Sequence, residues 1–265
     1  MVKQVTRLIK IWLHLAFLAG QTQLLTNWSG LLFITGKLVR FIFYFVFLIS
    51  IIGGVKELVG YSRNEVIFVF LIFTLVDTLA QFLFRGVYVF RYSVINGNFD
   101  MDLLKPIPSL FRPVFGWTDI LDGLTLIPLV TYLGYFIITA TSMSGLISLI
   151  IFLLLILNSM LVAFALHLFF CSICVITLEV DYLTWVYRDV TALGRFPTDI
   201  YPKGVRFILT FIIPVIVLFA IPAKLVLGRI STLQSLPFLL VGPITVFLSL
   251  RFWQYALKKY SSASS

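Results

Sequence analysis

The chain has 265 residues, of which 60% are apolar or aromatic and only 12% are charged. An ordinary soluble domain carries about 25% charged residues, and a large core cannot explain the deficit, because a globule still has a polar surface to cover. Composition therefore excludes a soluble globular enzyme, a disordered chain and a collagen-like fibre, and two cysteines three positions apart exclude a small disulfide scaffold.

What remains is a multi-span membrane protein. The formal charge of +9 then records topology rather than nucleic-acid binding, because basic residues gather in cytoplasmic loops. The apolar runs are continuous and of helical length, not the ten-residue alternating segments of a barrel. The expected fold is an all-α membrane protein with six transmembrane helices and an N-terminal amphipathic interfacial helix.

Residues 1–28 form that interfacial unit. Lys3, Arg7, Lys10 and His14 recur at spacings of three and four and share a helical stripe, while Val5, Leu8, Ile9, Trp12, Leu13 and Leu15 fill most of the rest. A signal peptide is the competing reading. Against it, the apolar stretch is short and no A-x-A site follows. A six-helix domain occupies 29–260, with the first span near 34–55. Lys37 and Arg40 there snorkel to the membrane face.

The second span runs near 65–90. Asp77, Gln81 and Arg85 follow on it at four-residue steps, so they form one stripe. An ionised carboxylate in lipid costs a few kcal/mol, so Asp77 faces the bundle or a wet path. It is read either as a pathway residue or as a packing contact.

A cytoplasmic loop follows at 91–120. Asn96-Gly97-Asn98 suits a turn with positive φ, and Pro106, Pro108 and Pro113 prevent one long helix. Phe99, Leu103 and Leu104 read as exposed apolar anchors beside Asp100, Lys105 and Pro106. The loop is a docking surface for a cytoplasmic partner or a solvated connector.

Between Asp122 and Glu179 stand 56 residues without Lys, Arg, Asp or Glu. That is roughly 84 Å of helix, enough for two crossings. A Thr/Ser/Gly turn at 139–145 divides them into spans near 121–140 and 146–176. Asn158 and His167 on the fourth span are nine residues apart and so point to opposite sides. At least one is structural.

A second cytoplasmic loop carries Arg195, Pro197, Tyr201 and Pro202 before a fifth span at 205–223. Pro214, Pro222 and Gly228 mark a kink or a re-entrant element near the outer face. The sixth span lies near 230–252, and 261–265 form a tail. With both termini inside, 16 of the 20 basic residues fall on the cytoplasmic side and four, Lys56, Arg63, Lys224 and Arg229, fall outside.

Catalytic chemistry is sparse. The nearest match to a phosphate-binding loop begins at Gly30, has five intervening residues before Gly36-Lys37, and is followed by Leu38. It fails the required G-x-x-x-x-G-K-[ST] spacing. Cys171 and Cys174 have redox spacing but sit within an apolar span. Two distant histidines offer no metal site.

Gly97, Asp100, Leu104 and Pro106 after the second span resemble the first signature of a group of ABC-transporter permeases. Arg195-Phe196-Pro197, Ile200-Tyr201-Pro202, Thr210, Pro214, Pro222 and Gly228 resemble its second. The group is the type-2 ABC exporter permeases of mostly uncharacterised substrate. The resemblance implies a non-catalytic subunit of the plasma (bacterial inner) membrane. It implies a second permease half, homologous or identical, and a cytoplasmic ATPase that supplies ATP and Mg, since this chain binds no cofactor itself. The loop near 91–113 would supply the coupling helix. Alternative readings are a membrane-embedded lipid-modifying enzyme and a secondary transporter. The first usually needs clustered catalytic groups, and the second usually shows internal repeats.

Overall fold

The computed structural model describes residues 2–25, 57–140, 145–178 and 181–261, with scattered helical residues between 31 and 50. The expected first span at 34–55 lies largely outside the described residues, as does most of the tail at 261–265. Every regular element described is helical.

Helix α1 spans Val2–Leu25. Helix α2, Arg63–Phe84, starts with a capping box in which Ser62 and Glu65 bond each other's backbone N–H groups. It continues after a break at Arg85-Gly86 into α3, Val87–Ile95. Together they give a 33-residue apolar span. At about 1.5 Å per residue this is longer than the hydrocarbon core, so its far end projects beyond it. Short helices α4, Asn98–Leu103, and α5, Phe111–Phe115, fold beneath that end.

Helix α6, Ile120–Ala140, and α7, Leu146–Thr177, are the third and fourth apolar spans. Uncharged runs of this length have the helix as their solution in lipid, where every backbone group must be satisfied internally. The last span, Thr232–Lys259, contains α12, Val241–Lys259, after a short capped turn at Thr232–Ser235 that we label α11. Among the described residues four helices are thus long and apolar enough to cross a membrane, or five if one bent pair is a span.

That bent pair is the expected fifth span. Lys203–Ile212, beginning with α9 at Lys203–Phe207, and Ile216–Val226, ending with α10 at Ile221–Val226, meet at 87°. The cause is local. Ile213 is extended, and Pro214 cannot donate a helical hydrogen bond.

The preceding segment differs more from expectation. Helix α8, Asp181–Ala192, and two 3-10 turns at Leu193–Arg195 and Thr198–Ile200 were expected to lie in a cytoplasmic loop. Instead the segment runs along the bundle. It begins beside the α7 terminus, where the Leu178 carbonyl accepts from Arg91 Nε at 2.9 Å. Tyr187 then packs on His167, with ring centroids 4.8 Å apart. Gly194 lies so close to Phe219 that a Cβ would overlap the ring. Arg195 stands over the Phe73 ring, halfway along α2, and Asp199 reaches Tyr61 at the start of α2. Twelve helical residues plus two tight turns supply about 30 Å, the depth required.

The core joins α2, α7, the inner arm of the bent pair and α12. Helix α12 is fastened to α7 by Asn158, whose Nδ2 donates to the Phe238 carbonyl at 3.1 Å and whose Oδ1 accepts from Gly242 N–H at 2.9 Å. In Asn158→Ala both backbone groups lose their partner, an expected cost of about 1–3 kcal/mol. The detergent-solubilised variant should melt below the wild type by thermal unfolding. An unchanged midpoint would show that the amide carries no load.

Candidate functional site

One face of α2 carries polar residues at helical spacing: Thr74, Asp77, Thr78, Gln81 and Arg85. They line a cavity of about 430 Å³ with Asp122, Thr125 and Tyr132 of α6 and with Arg188 and Arg195 from the segment that crosses the bundle. Pro128, inside α6, is also in its wall and cannot donate to the Leu124 carbonyl. The polar stripe is anchored at one end. Gln81 Nε2 donates to Tyr88 Oη at 2.9 Å, and Arg85 Nη1 donates to Gln81 Oε1 at 2.9 Å. Arg85 also lies 3.8 Å from Asp119, which caps α6 by accepting from the Leu121 and Asp122 N–H groups. Cavity carboxylates and guanidiniums therefore share one low-dielectric space, where each sign lowers the cost of the other.

The structure thus brings Asp77 and Gln81 into one cavity and keeps Asn158 and His167 out of its lining. Asn158 links α7 to α12, as above. His167 is 1% exposed and packs against Phe84 and Tyr187. Its Nδ1 donates to the Ala163 carbonyl at 2.7 Å. Asp122, Thr125 and Arg188 were missed as cavity residues. Asp122 stood at a span boundary, and Arg188 was assigned to a loop. Cys171 and Cys174 are free and buried.

A second polar cluster closes one end of the bundle. Asp199 accepts from Tyr61 Oη at 2.6 Å, stands 2.9 Å from Lys224 Nζ, and lies 3.2 Å from Arg206 Nη1. Beside it Arg229 grips both oxygens of Glu65, at 2.8 and 2.9 Å, and lies 4.4 Å over the Tyr61 ring. The Lys224 and Arg206 charges and the Tyr61 hydroxyl thus surround the Asp199 carboxylate. Burial, then Asp199, pushes the Tyr61 phenol well up.

This cluster joins segments that the sequence reading places on opposite sides. The motif Arg195, Pro197, Tyr201 and Pro202 was placed on the same side as the 91–120 loop, and Lys224 opposite. Asp199 joins Lys224 instead. Pro197 and Pro202 precede the turn at Thr198–Ile200 and α9, and Tyr201 Oη donates to the Leu193 carbonyl at 2.9 Å. Arg195 is farther in, at the cavity.

The opposite end is built on α4. Gly97, with φ of 71°, makes the turn that starts it, a conformation costly for other residues. Asp100 accepts from Tyr260 Oη at 2.9 Å, and Asp102 takes Lys105 at 2.7 Å and Arg112 at 3.2 Å. Phe99 is not the exposed anchor expected. It is 0% exposed, packed edge-on to Phe90 and against Trp253 and Tyr260. Leu104 is 81% exposed and Leu103 38%, and Met101, missed in the sequence, is 64% exposed. Lys105 and Pro106 follow at the same surface.

The family model described as "ABC-2 family transporter protein" matches residues 37–264. The chain belongs to this family. No curated protein and no solved structure matches it. It is a multi-pass membrane permease of the ABC-transporter class. In this ABC-2 permease one polar cluster lines a cavity in the bundle, a second closes one end of it, and the α4 surface lies at the other.

Asp199→Asn removes the charge that Lys224 and Arg206 share, so the variant should melt below the wild type by thermal unfolding in detergent. An unchanged midpoint would refute an ionic role.

Proposed function

We propose that the chain is the membrane subunit of an ABC exporter, paired with a second permease half and driven by a separate cytoplasmic ATPase in the plasma (bacterial inner) membrane. The family match over 37–264 carries this reading. Membership supports an ATPase as the kind of partner, and that partner would bring ATP and Mg.

In this reading the chain crosses six times. The crossings are the segment at 34–55, α2 with α3, α6, α7, the segment 181–201, and α12. The bent pair at 203–226 then enters and leaves from one side, because Arg206 on one arm and Lys224 on the other reach the same carboxylate. Both termini and α4 lie on the ATPase side. The basic residues of 91–112 and Lys258 and Lys259 agree with that orientation.

Coupling runs through α4. Met101, Leu103 and Leu104 present apolar side chains to an ATPase groove, while Phe99 and Asp100 fasten the other face to α3 and α12. A displacement of α4 thereby pulls two spans at once. The cavity of α2 and α6 is the substrate passage, its polar stripe giving water or a polar group a route past lipid. The chain itself needs no catalytic group.

The test is co-purification with the ATPase subunit. A double change, Met101→Asp with Leu104→Asp, should reduce the ATPase recovered by about tenfold or more, as removal of buried interface anchors does. Undiminished recovery, with the permease folded, would put the ATPase contact elsewhere.

A further inference from the structure

Helix α1 has three faces. One packs on the bundle through Trp12, which meets Phe82 edge-on at 5.8 Å, and through buried Ala16 and Ala19. A second exposes Val5, Ile9, Leu13 and Phe17, each more than half accessible. The third carries Lys3, Arg7, Lys10 and His14. At about 100° per residue the apolar stripe lies roughly 70° from the packed face, and the basic stripe roughly 110° farther round, nearly opposite that face. The basic face is exposed. It forms one wall of a groove of about 710 Å³ whose other side includes Arg112.

Two observations select what fills this groove. The first is charge. Lys3, Arg7 and Lys10 make no ion pair among the described residues, and no acidic residue occurs before Glu57. The carboxylate that touches the lining is Asp102, already shared between Lys105 and Arg112. The groove thus lacks about three negative charges. The second is its setting. The exposed apolar stripe runs the length of the same helix, so an acyl chain and a charged headgroup find their own surfaces side by side.

We propose that this groove is a binding site for the phosphate headgroup of an anionic lipid. The lipid ties α1 to Arg112 and so to the segment carrying α4. The headgroup competes with Asp102 for Arg112, which links the charge of the leaflet to the position of α4. The binding step stands whether or not the chain works with an ATPase.

The test uses the purified full chain in nanodiscs of phosphatidylcholine with and without phosphatidylglycerol, counting retained lipids by native mass spectrometry. Wild type should retain phosphatidylglycerol in preference to phosphatidylcholine. Lys3→Gln, Arg7→Gln and Lys10→Gln together should weaken that retention by roughly 100-fold, about fivefold per basic residue near an anionic surface. Arg112→Gln alone should weaken it by about fivefold. Lys258→Gln with Lys259→Gln, basic residues of α12 outside the groove, should not. Lys3→Arg with Lys10→Arg should retain the lipid, separating charge from folding. Equal retention of the two lipids by wild type, or full retention by the triple variant, overturns the proposal. So does a triple variant that keeps phosphatidylglycerol but loses an ATPase subunit, because the groove would then be a protein docking face.

Discussion

Asp199 accepts a hydrogen bond from Tyr61 and holds Lys224 and Arg206 by charge, and the path of the chain from residue 178 to 226 depends on that one carboxylate. Tyr61 belongs to the start of α2, Arg206 to the first arm of the bent pair and Lys224 to its second. A carboxylate with three donors on three segments fixes their common position. The segment leaving α7 at the opposite end must therefore travel the depth of the bundle to arrive there. In doing so it carries Arg188 and Arg195 past the polar face of α2, and the cavity exists because of that passage.

Hydrocarbon offers no partner to a charge, so intramembrane charges concentrate where they can meet one another. That rule explains why Asp77, Asp122, Arg85, Arg188 and Arg195 share one cavity rather than being scattered over the spans. It also separates the polar residues by task. Asn158 spends both ends of its amide on the α7–α12 contact, and His167 is packed among aromatic rings, whereas the α2 stripe faces open space. At the other end of the bundle, α4 has one face locked by Phe99 and Asp100 and the other bare. Under the proposed coupling, a helix so mounted would transmit a push to two spans.

The spans α2, α6, α7 and α12 are legible in the sequence because long uncharged runs have one solution in lipid. The turn with positive φ at Gly97 is legible from its neighbours Asn96 and Asn98. The path of residues 181–201 along the bundle is not. Its Arg188 and Arg195 read as part of a cytoplasmic loop, and the complementary charges that receive them, Asp77 on α2 and Asp122 on α6, are distant in sequence. Phe99 fails for a related reason. Local hydropathy cannot foresee that Phe90, Trp253 and Tyr260, the last 161 residues away in the sequence, close over it. The α2 stripe was visible as a spacing, but its partners on α6 and α8 were not, since cavity lining is a property of packing.

The central claim is that the chain passes from one face of the membrane to the other between Leu178 and Tyr201. Single cysteines at Lys203 and at Met101, introduced into a background in which Cys171 and Cys174 are replaced by Ala, test it directly in intact cells and in inverted vesicles. A membrane-impermeant thiol reagent should label Lys203→Cys from the outside and Met101→Cys only in inverted vesicles. Labelling of both from the same side would return residues 179–206 to a cytoplasmic loop and contradict the account.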